Sequence, residues 1–325
     1  MMQIHTFSNL TKLGMLVLFI ALILFAIPTF AAFNDIGVGA RPLGLGGAFV
    51  ALADDSNAAN YNAAGLGYID AIHAGVTREQ RFNGLITYNA LSSIVPVGIL
   101  GSIGAHIGIL AEDSDIYQEQ TLVFSYGKAF LKQFAIGVNL KRFSTAFDET
   151  NEFVAGNDYF TQTSASAISV DMGIIAKPVA GLSIGVAAEN LAPADMSISD
   201  AFTDSVPRNI RAGVAYRLAS IAEMSAQGAT VSNILKFSLA TLEVALREGE
   251  THVRAGAEVW FNKHIAARGG YGIKSGVDSA STIALGASLK IPVSATDLQL
   301  DYGFQLLTGV FRDNTTQRVS VNWVF

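Results

Sequence analysis

The chain has no cysteine among its 325 residues, which excludes disulfides, thiolate metal sites and a lipid anchor on an N-terminal cysteine. Histidine is scarce, and His5, His73, His106, His252 and His264 show no ligand spacing. No metal and no other cofactor is therefore expected. There is no G-x-x-x-x-G-K-[ST] phosphate loop and no G-x-S-x-G nucleophile turn, so nothing points to an enzyme. Charged residues make up only 15% of the chain, the net charge is −6, and no basic run occurs. Nucleic acid is not an expected partner. Long apolar runs are also missing beyond residue 33, where none approaches the roughly 18–20 residues of a spanning helix. Yet half the residues are hydrophobic. A hydrophobic chain without long apolar runs is what strands alternating between lipid and an interior would give.

The alternation is visible at the C-terminus. Val319, Val321, Trp323 and Phe325 share one strand face, and Ser320 and Asn322 the other, with Val324 the apolar exception. Trp323 and Phe325 are read as a C-terminal barrel signal at the water–lipid boundary, the feature a barrel assembly machinery would engage. A single such strand would suit the edge of a soluble sandwich, but the pattern recurs. Leu298, Leu300, Tyr302, Phe304 and Leu306 oppose Gln299, Asp301, Gly303 and Gln305. The same holds around residues 136, 210 and 255. Strands are expected near 71–79, 83–95, 98–110, 119–130, 133–145, 163–176, 181–191, 207–217, 235–246, 251–261, 264–274, 280–291, 296–307 and 316–325. The expected fold is all-β, a transmembrane antiparallel β-barrel of about 14 strands over residues 71–325, surrounded by outer-membrane lipid.

Charge sets the register. An Arg or Lys facing hydrocarbon at mid-membrane costs about 2–4 kcal/mol, so Asp171, Glu189, Arg211, Arg217, Arg254, Glu258, Arg268, Lys274, Lys290 and Asp301 are expected to face the lumen. They could hold a filled interior together or line a passage. Gly137, Gly185, Gly213, Gly256, Gly286 and Gly303 fall on the same face and leave interior room. Connections near 111–118, 146–162 and 192–206 read as long outer loops, and those near 96–97, 131–132, 177–180, 262–263 and 292–295 as short turns. The stretch Ala219–Ile234 breaks this asymmetry and reads as a small helix or a misplaced strand.

The N-terminus has the form of a secretory signal over residues 1–31: Lys12, an apolar core Leu13–Ile27, Pro28, and small residues before a cut near Ala31/Ala32. A retained anchor is the competing reading, but the core is short for one. Export to the bacterial outer membrane is the expectation. Residues 32–70 are rich in Gly and Ala and lack a strand period. Asp54 or Asp55 could cap a short helix over Ser56–Tyr61, with Gly65 at its C-terminal end. The segment is the candidate to occupy the lumen, as a hatch or plug.

The run Gly37–Leu66 resembles the N-terminal signature of the PorV/PorQ group of outer-membrane proteins, relatives of FadL-type long-chain fatty-acid transporters. Ala40-Arg41, Gly44 to Ala53 (including Gly46 and Gly47), Asp54-Asp55, Tyr61, Asn62 and Ala64-Gly65-Leu66 match the pattern. Leu45 stands where Met is usual and Ala63 where Pro is usual. The resemblance implies a 14-stranded barrel with an N-terminal hatch. It further implies either passive transport of small hydrophobic, fatty-acid-like compounds or a non-transporting role beside secretion-system proteins. For transport, the glycines in Val97–Leu110 suggest a kink or wall opening.

Overall fold

The computed structural model describes residues 33, 36–112, 114, 116–201, 203–219, 237–247, 249–276, 279–294, 296–308 and 315–325. Fourteen antiparallel strands close into one barrel, each paired with its sequence neighbours and β1 with β14. They are β1 His73–Arg81, β2 Ile86–Pro96, β3 Ser102–Glu112, β4 Tyr117–Phe130, β5 Phe134–Phe147, β6 Ser164–Ala176 and β7 Leu182–Glu189, followed by β8 Asn209–Arg217, β9 Leu239–Arg247, β10 Glu250–Trp260, β11 Ile265–Ser275, β12 Ala280–Val293, β13 Thr296–Leu307 and β14 Thr315–Val324. All fourteen fall within a few residues of the expected positions. The seam is stitched from His73↔Val324 to Arg81↔Thr316, and Phe325 N–H adds a bond to the Ile72 carbonyl at 3.0 Å. β1 begins and β14 ends at the same rim, called the terminal rim below; the opposite rim is the loop rim.

Alternation decides which side chains meet the outside. In β5, Phe134, Ile136, Val138 and Leu140 are exposed, while Ala135, Gly137 and Asn139 are buried. In β14, Val319 and Trp323 are exposed while Arg318, Ser320 and Asn322 are buried. A closed barrel with apolar residues outside and polar residues inside leaves no unpaired edge, which is the condition for crossing a bilayer with strands. Among the described residues no helix is long and apolar enough to cross one.

Several local expectations are corrected. β3 pairs without interruption with β2 and β4, so Val97–Leu110 holds only a tight turn at Gly98–Leu100 and no wall opening. The weak ladder is β6–β7, which has five pairs, Met172↔Ala188 to Ala176↔Ile184. There β7 is short, and the chain leaves the wall after Glu189. The connection expected over 111–118 narrows to 113–116, because β3 and β4 run on to Glu112 and from Tyr117. Those over 148–163 and 190–208 are long as expected, while 82–85 and 248–249 at the same rim are short. The Ala219–Ile234 reading lies almost wholly outside the described residues, as does the signal over residues 1–31.

Residues 36–69 lie inside the barrel. A short helix, α1 Ala40–Gly44, is entirely buried. Tight turns follow at Ala58–Asn60 and Ala63–Tyr68. The helix expected over Ser56–Tyr61 is thus only one turn. Asp55 does not cap it as a helix N-cap; it accepts the Asn57 N–H at 2.9 Å. Gly65 is not a helix end. It sits within the second turn, where an added Cβ would strike the Ala53 carbonyl. Leu45, Phe49, Ala51, Leu52 and Tyr61 form one apolar cluster with Ala215 and Leu239 of the wall, and Ala64, Leu66 and Ile69 another with Ile94, Ala135 and Ile175.

Candidate functional site

Glycines on the inner wall let the segment approach as bare backbone. A Cβ on Gly256 would lie 2.5 Å from Leu45 O, one on Gly127 2.5 Å from Ala63 O, and one on Gly303 2.8 Å from Ala40 O. On the segment side, Gly44 faces Gly286, where a Cβ would come 3.0 Å from the other Cα, and Gly46 and Gly47 turn at φ of 68° and 83°. Positive φ at these two positions is open to glycine without strain. The glycine-rich run therefore serves packing against the wall.

Charge ties the same surfaces together. Arg41 donates from Nε to Glu258 Oε2 at 2.8 Å, and from Nη1 to Asp54 Oδ1 at 2.6 Å and Asp55 Oδ2 at 3.2 Å. Glu258 also accepts Arg268 Nε at 2.5 Å, and Arg268 reaches Asp301 Oδ1 at 3.1 Å. Asn322 closes the chain on Asp301 Oδ2 at 2.7 Å. Asp54 has a second cation, Arg217, whose side chain is half exposed toward the terminal rim. Burial pushes the Asp54 carboxyl up, but the Arg41 and Arg217 guanidiniums outweigh this and hold it well below the ordinary carboxylate range. Asp55 goes the other way. Burial raises it, and Arg41 offsets this only in part.

A second junction uses Glu243 of β9. Its Oε2 accepts the Phe49 and Val50 N–H groups, each at 2.9 Å, and its Oε1 accepts Arg254 Nη1 at 3.0 Å. Arg211, 2% exposed, lies between Glu243 and Glu189, at 3.7 and 3.3 Å. A third uses Arg318, which pairs with Glu79 and donates to the Gly39 and Ile36 carbonyls at 3.1 and 2.9 Å. A fourth links Lys141 to Asp171 at 2.8 Å, with Asn139 bridging from Asp171 to the Ala59 carbonyl. Asn62 donates to Ile174 O and Val186 O, bracing the inner face of the weak β6–β7 ladder. Tyr61 donates to Val38 O at 3.0 Å. Glu79, Glu243 and Arg318 are absent from the residues singled out in the sequence. All three occupy inward strand positions, so the alternation that selected Glu258 and Asp301 could have found them.

Two spaces flank the segment. Toward the loop rim lies a cavity of about 110 Å³, lined by Val38, Tyr88, His106, Leu110, Thr121, Val123, Lys141, Phe143 and Val206 among others. His106 is buried, with Ser92 Oγ 2.9 Å and Asn60 Nδ2 3.3 Å from Nδ1, and the Tyr88 hydroxyl 3.3 Å from Nε2. The connection 190–208 folds inward over this space. Ala194, Met196 and Val206 are buried against Phe33 and Phe143, and Phe33 and Phe143 rings lie 4.8 Å apart. Toward the terminal rim lies a wider, more charged vestibule of about 730 Å³, bounded by Arg41, Asp54, Asp55, Arg217, Glu258 and Trp260. No group of three or more potential metal-ligating side chains converges among the described residues.

No family model matches the chain, and no curated protein matches it. Solved structures do. A FadL homologue from Pseudomonas aeruginosa superposes with a TM-score of 0.61 at 10% identity, over 93% of this chain and 99% of that one. The CymD monoaromatic hydrocarbon channel gives 0.56 at 13% identity, over 90% and 98%. The Ralstonia pickettii toluene transporter TbuX gives 0.55 at 12% identity, over 90% and 98%. At such identities the likeness is one of fold, and the fold is that of the FadL-type barrels.

Proposed function

We propose that this protein is an outer-membrane β-barrel for passive passage of small hydrophobic compounds, and not an enzyme. The loop rim faces outward, because both ends of an even-stranded barrel of this kind lie at the periplasmic rim. The observation that carries the reading is the small cavity between the inner segment and β2–β5, with Phe33, Phe143 and Val206 of the apolar cluster among its walls. Its 110 Å³ is near the scale of the roughly 150 Å³ engineered cavity that accepts benzene. Compact molecules suit it better than extended acyl chains. The solved neighbours include a toluene transporter and a monoaromatic hydrocarbon channel, which agrees with that size. Proteoliposome uptake of a labelled single-ring hydrocarbon tests it. Uptake should exceed that of protein-free vesicles and of vesicles holding an unrelated closed barrel; equal uptake counts against transport.

A second reading has its own support. The Gly37–Leu66 pattern resembles the PorV/PorQ group, and the inner segment is bonded to the wall at four buried ionic junctions. A barrel so filled also suits a non-transporting partner of secretion-system proteins, with the connections 148–163 and 190–208 as the docking surface. Affinity capture from native membranes separates the readings: a stoichiometric envelope partner, with no uptake in vesicles, favours the second.

A further inference from the structure

The outward strand positions hold an imbalance. Among the described residues they carry three cations, Arg78, Lys128 and Arg142, and no aspartate or glutamate. Lys128 stands two residues from the terminal-rim end of β4 and lies over the Phe130 ring at 5.7 Å. Arg142 lies toward the loop rim of the tall strand β5, below outward Ser144. Arg78 is set deeper against apolar wall.

Arg78 lies five residues from His73, at the terminal rim of β1. At about 3.3 Å per residue and a tilt near 40°, that is about 13 Å up the wall. The apolar belt of such a barrel is about 25 Å tall. Toward the terminal rim Arg78 has Val76, whose ladder partners are Leu91 and Val321; its own partners are Asn89 and Val319. Toward the loop rim stands Gln80, between Thr87 and Gln317. The guanidinium donates from Nη1 to Asn89 Oδ1 at 3.3 Å, and no described carboxylate pairs with it. Gln317 accepts the Tyr302 hydroxyl from below at 3.2 Å.

A guanidinium at this depth, beside acyl chains and with no acid on the entire described outer face, needs an anion from outside the protein. The nearest anions beyond the acyl layer are lipid phosphates, on the side where Gln80, Thr87 and Gln317 replace the apolar wall, and a guanidinium on its long stem reaches toward them. Arginine's planar fork suits them, because two N–H groups can meet two oxygens. The neighbouring amides of Gln80, Asn89 and Gln317 supply further donors. We propose that Arg78, with these three amides, binds the phosphate of a phospholipid whose headgroup is a net anion, in the surrounding leaflet, on the loop-rim half of the β14–β1–β2 wall. The inference rests on the membrane-barrel reading, and it is independent of whether the lumen transports.

Native mass spectrometry of the detergent-purified full chain tests it, with phosphatidylglycerol and phosphatidylcholine titrated in separate arms. The wild-type protein should retain one phosphatidylglycerol at a tenfold or lower concentration than phosphatidylcholine. Arg78→Gln should lose that preference, while Arg142→Gln keeps it; gel-shift on heating reports that each barrel is folded. Should Arg78→Gln not fold, Gln80→Leu and Asn89→Leu take its place, each expected to weaken retention severalfold. Equal retention of both lipids by the wild type overturns the proposal, as does unchanged retention in folded Arg78→Gln. A dimer that vanishes in Arg78→Gln while lipid retention stays the same also overturns it, by naming a second copy as the occupant. A chain that does not insert into vesicles at all defeats the barrel reading instead.

Discussion

Arg41 is the residue whose removal should most loosen the inner segment, because among the described residues it alone joins three carboxylates from two surfaces. Replacing it by Met keeps much of the side-chain volume and deletes the charge. Removing one partner of a buried ion pair costs about 3–5 kcal/mol, largely because the other charge stays buried and unpaired. Here the orphaned acids have partial cover. Glu258 keeps Arg268 at 2.5 Å, Asp54 keeps Arg217, and Asp55 keeps the Asn57 N–H. The loss should therefore sit at the lower end, about 3 kcal/mol. A double-mutant cycle with Glu258→Gln isolates the pair. In that variant Arg41 retains Asp54 and Asp55, and in the double variant the Arg41–Glu258 contact is absent on both sides, so a coupling of about 1–3 kcal/mol is expected. Urea unfolding in micelles, followed by the fluorescence of the two tryptophans, Trp260 and Trp323, supplies the four free energies. Because the chain has no cysteine, Ala48→Cys added to each variant reports exposure of the segment by thiol labelling. Labelling of Arg41→Met should run at least tenfold faster than in the wild-type background. Coupling below about 0.5 kcal/mol, the level at which separate sites simply add, would refute the idea that this pair holds the segment to the wall.

Two further outcomes follow from packing and closure. Gly256→Leu drives a side chain into Leu45, whereas Gly269→Leu on the outward face meets nothing within 4 Å; the first should lower the unfolding free energy by at least about 1–3 kcal/mol, the overpacking range, and the second should leave the urea midpoint unchanged. Deleting Phe325 removes the bond to Ile72 and the ring stacked on Trp323 at 5.3 Å; the amount of heat-modifiable barrel recovered from membranes should fall severalfold, and an undiminished yield would set aside the C-terminal assembly signal.

Strand positions and the inward charges were open to sequence reading because a period of two survives any error in the loops. Arg211, Glu258, Arg268 and Asp301 are all buried, and each falls on the face that alternation assigns to the lumen. Other features carry no such period. The inward fold of 190–208 depends on Ala194, Met196 and Val206 meeting Phe33 and Phe143, contacts that no local pattern encodes. The weak β6–β7 ladder arises because β7 stops at Glu189, while β6 extends to Ser164. That mismatch is visible only once both are paired. Which acid meets which arginine was equally hidden: Glu79 and Arg318 are 239 positions apart and meet because β1 closes on β14. The outward Arg78 runs against the alternation. It could have been noticed as the one charge on an otherwise uncharged face of β1.

The most direct test of the account uses two neighbouring residues that face opposite ways. Thr121 lines the cavity and Leu122 faces outward on the same strand. Proteoliposome uptake of a labelled single-ring hydrocarbon should drop to the protein-free rate with Thr121→Trp and stay at the wild-type rate with Leu122→Trp. Full uptake with Thr121→Trp, in a barrel that still folds, would contradict passage through the lumen.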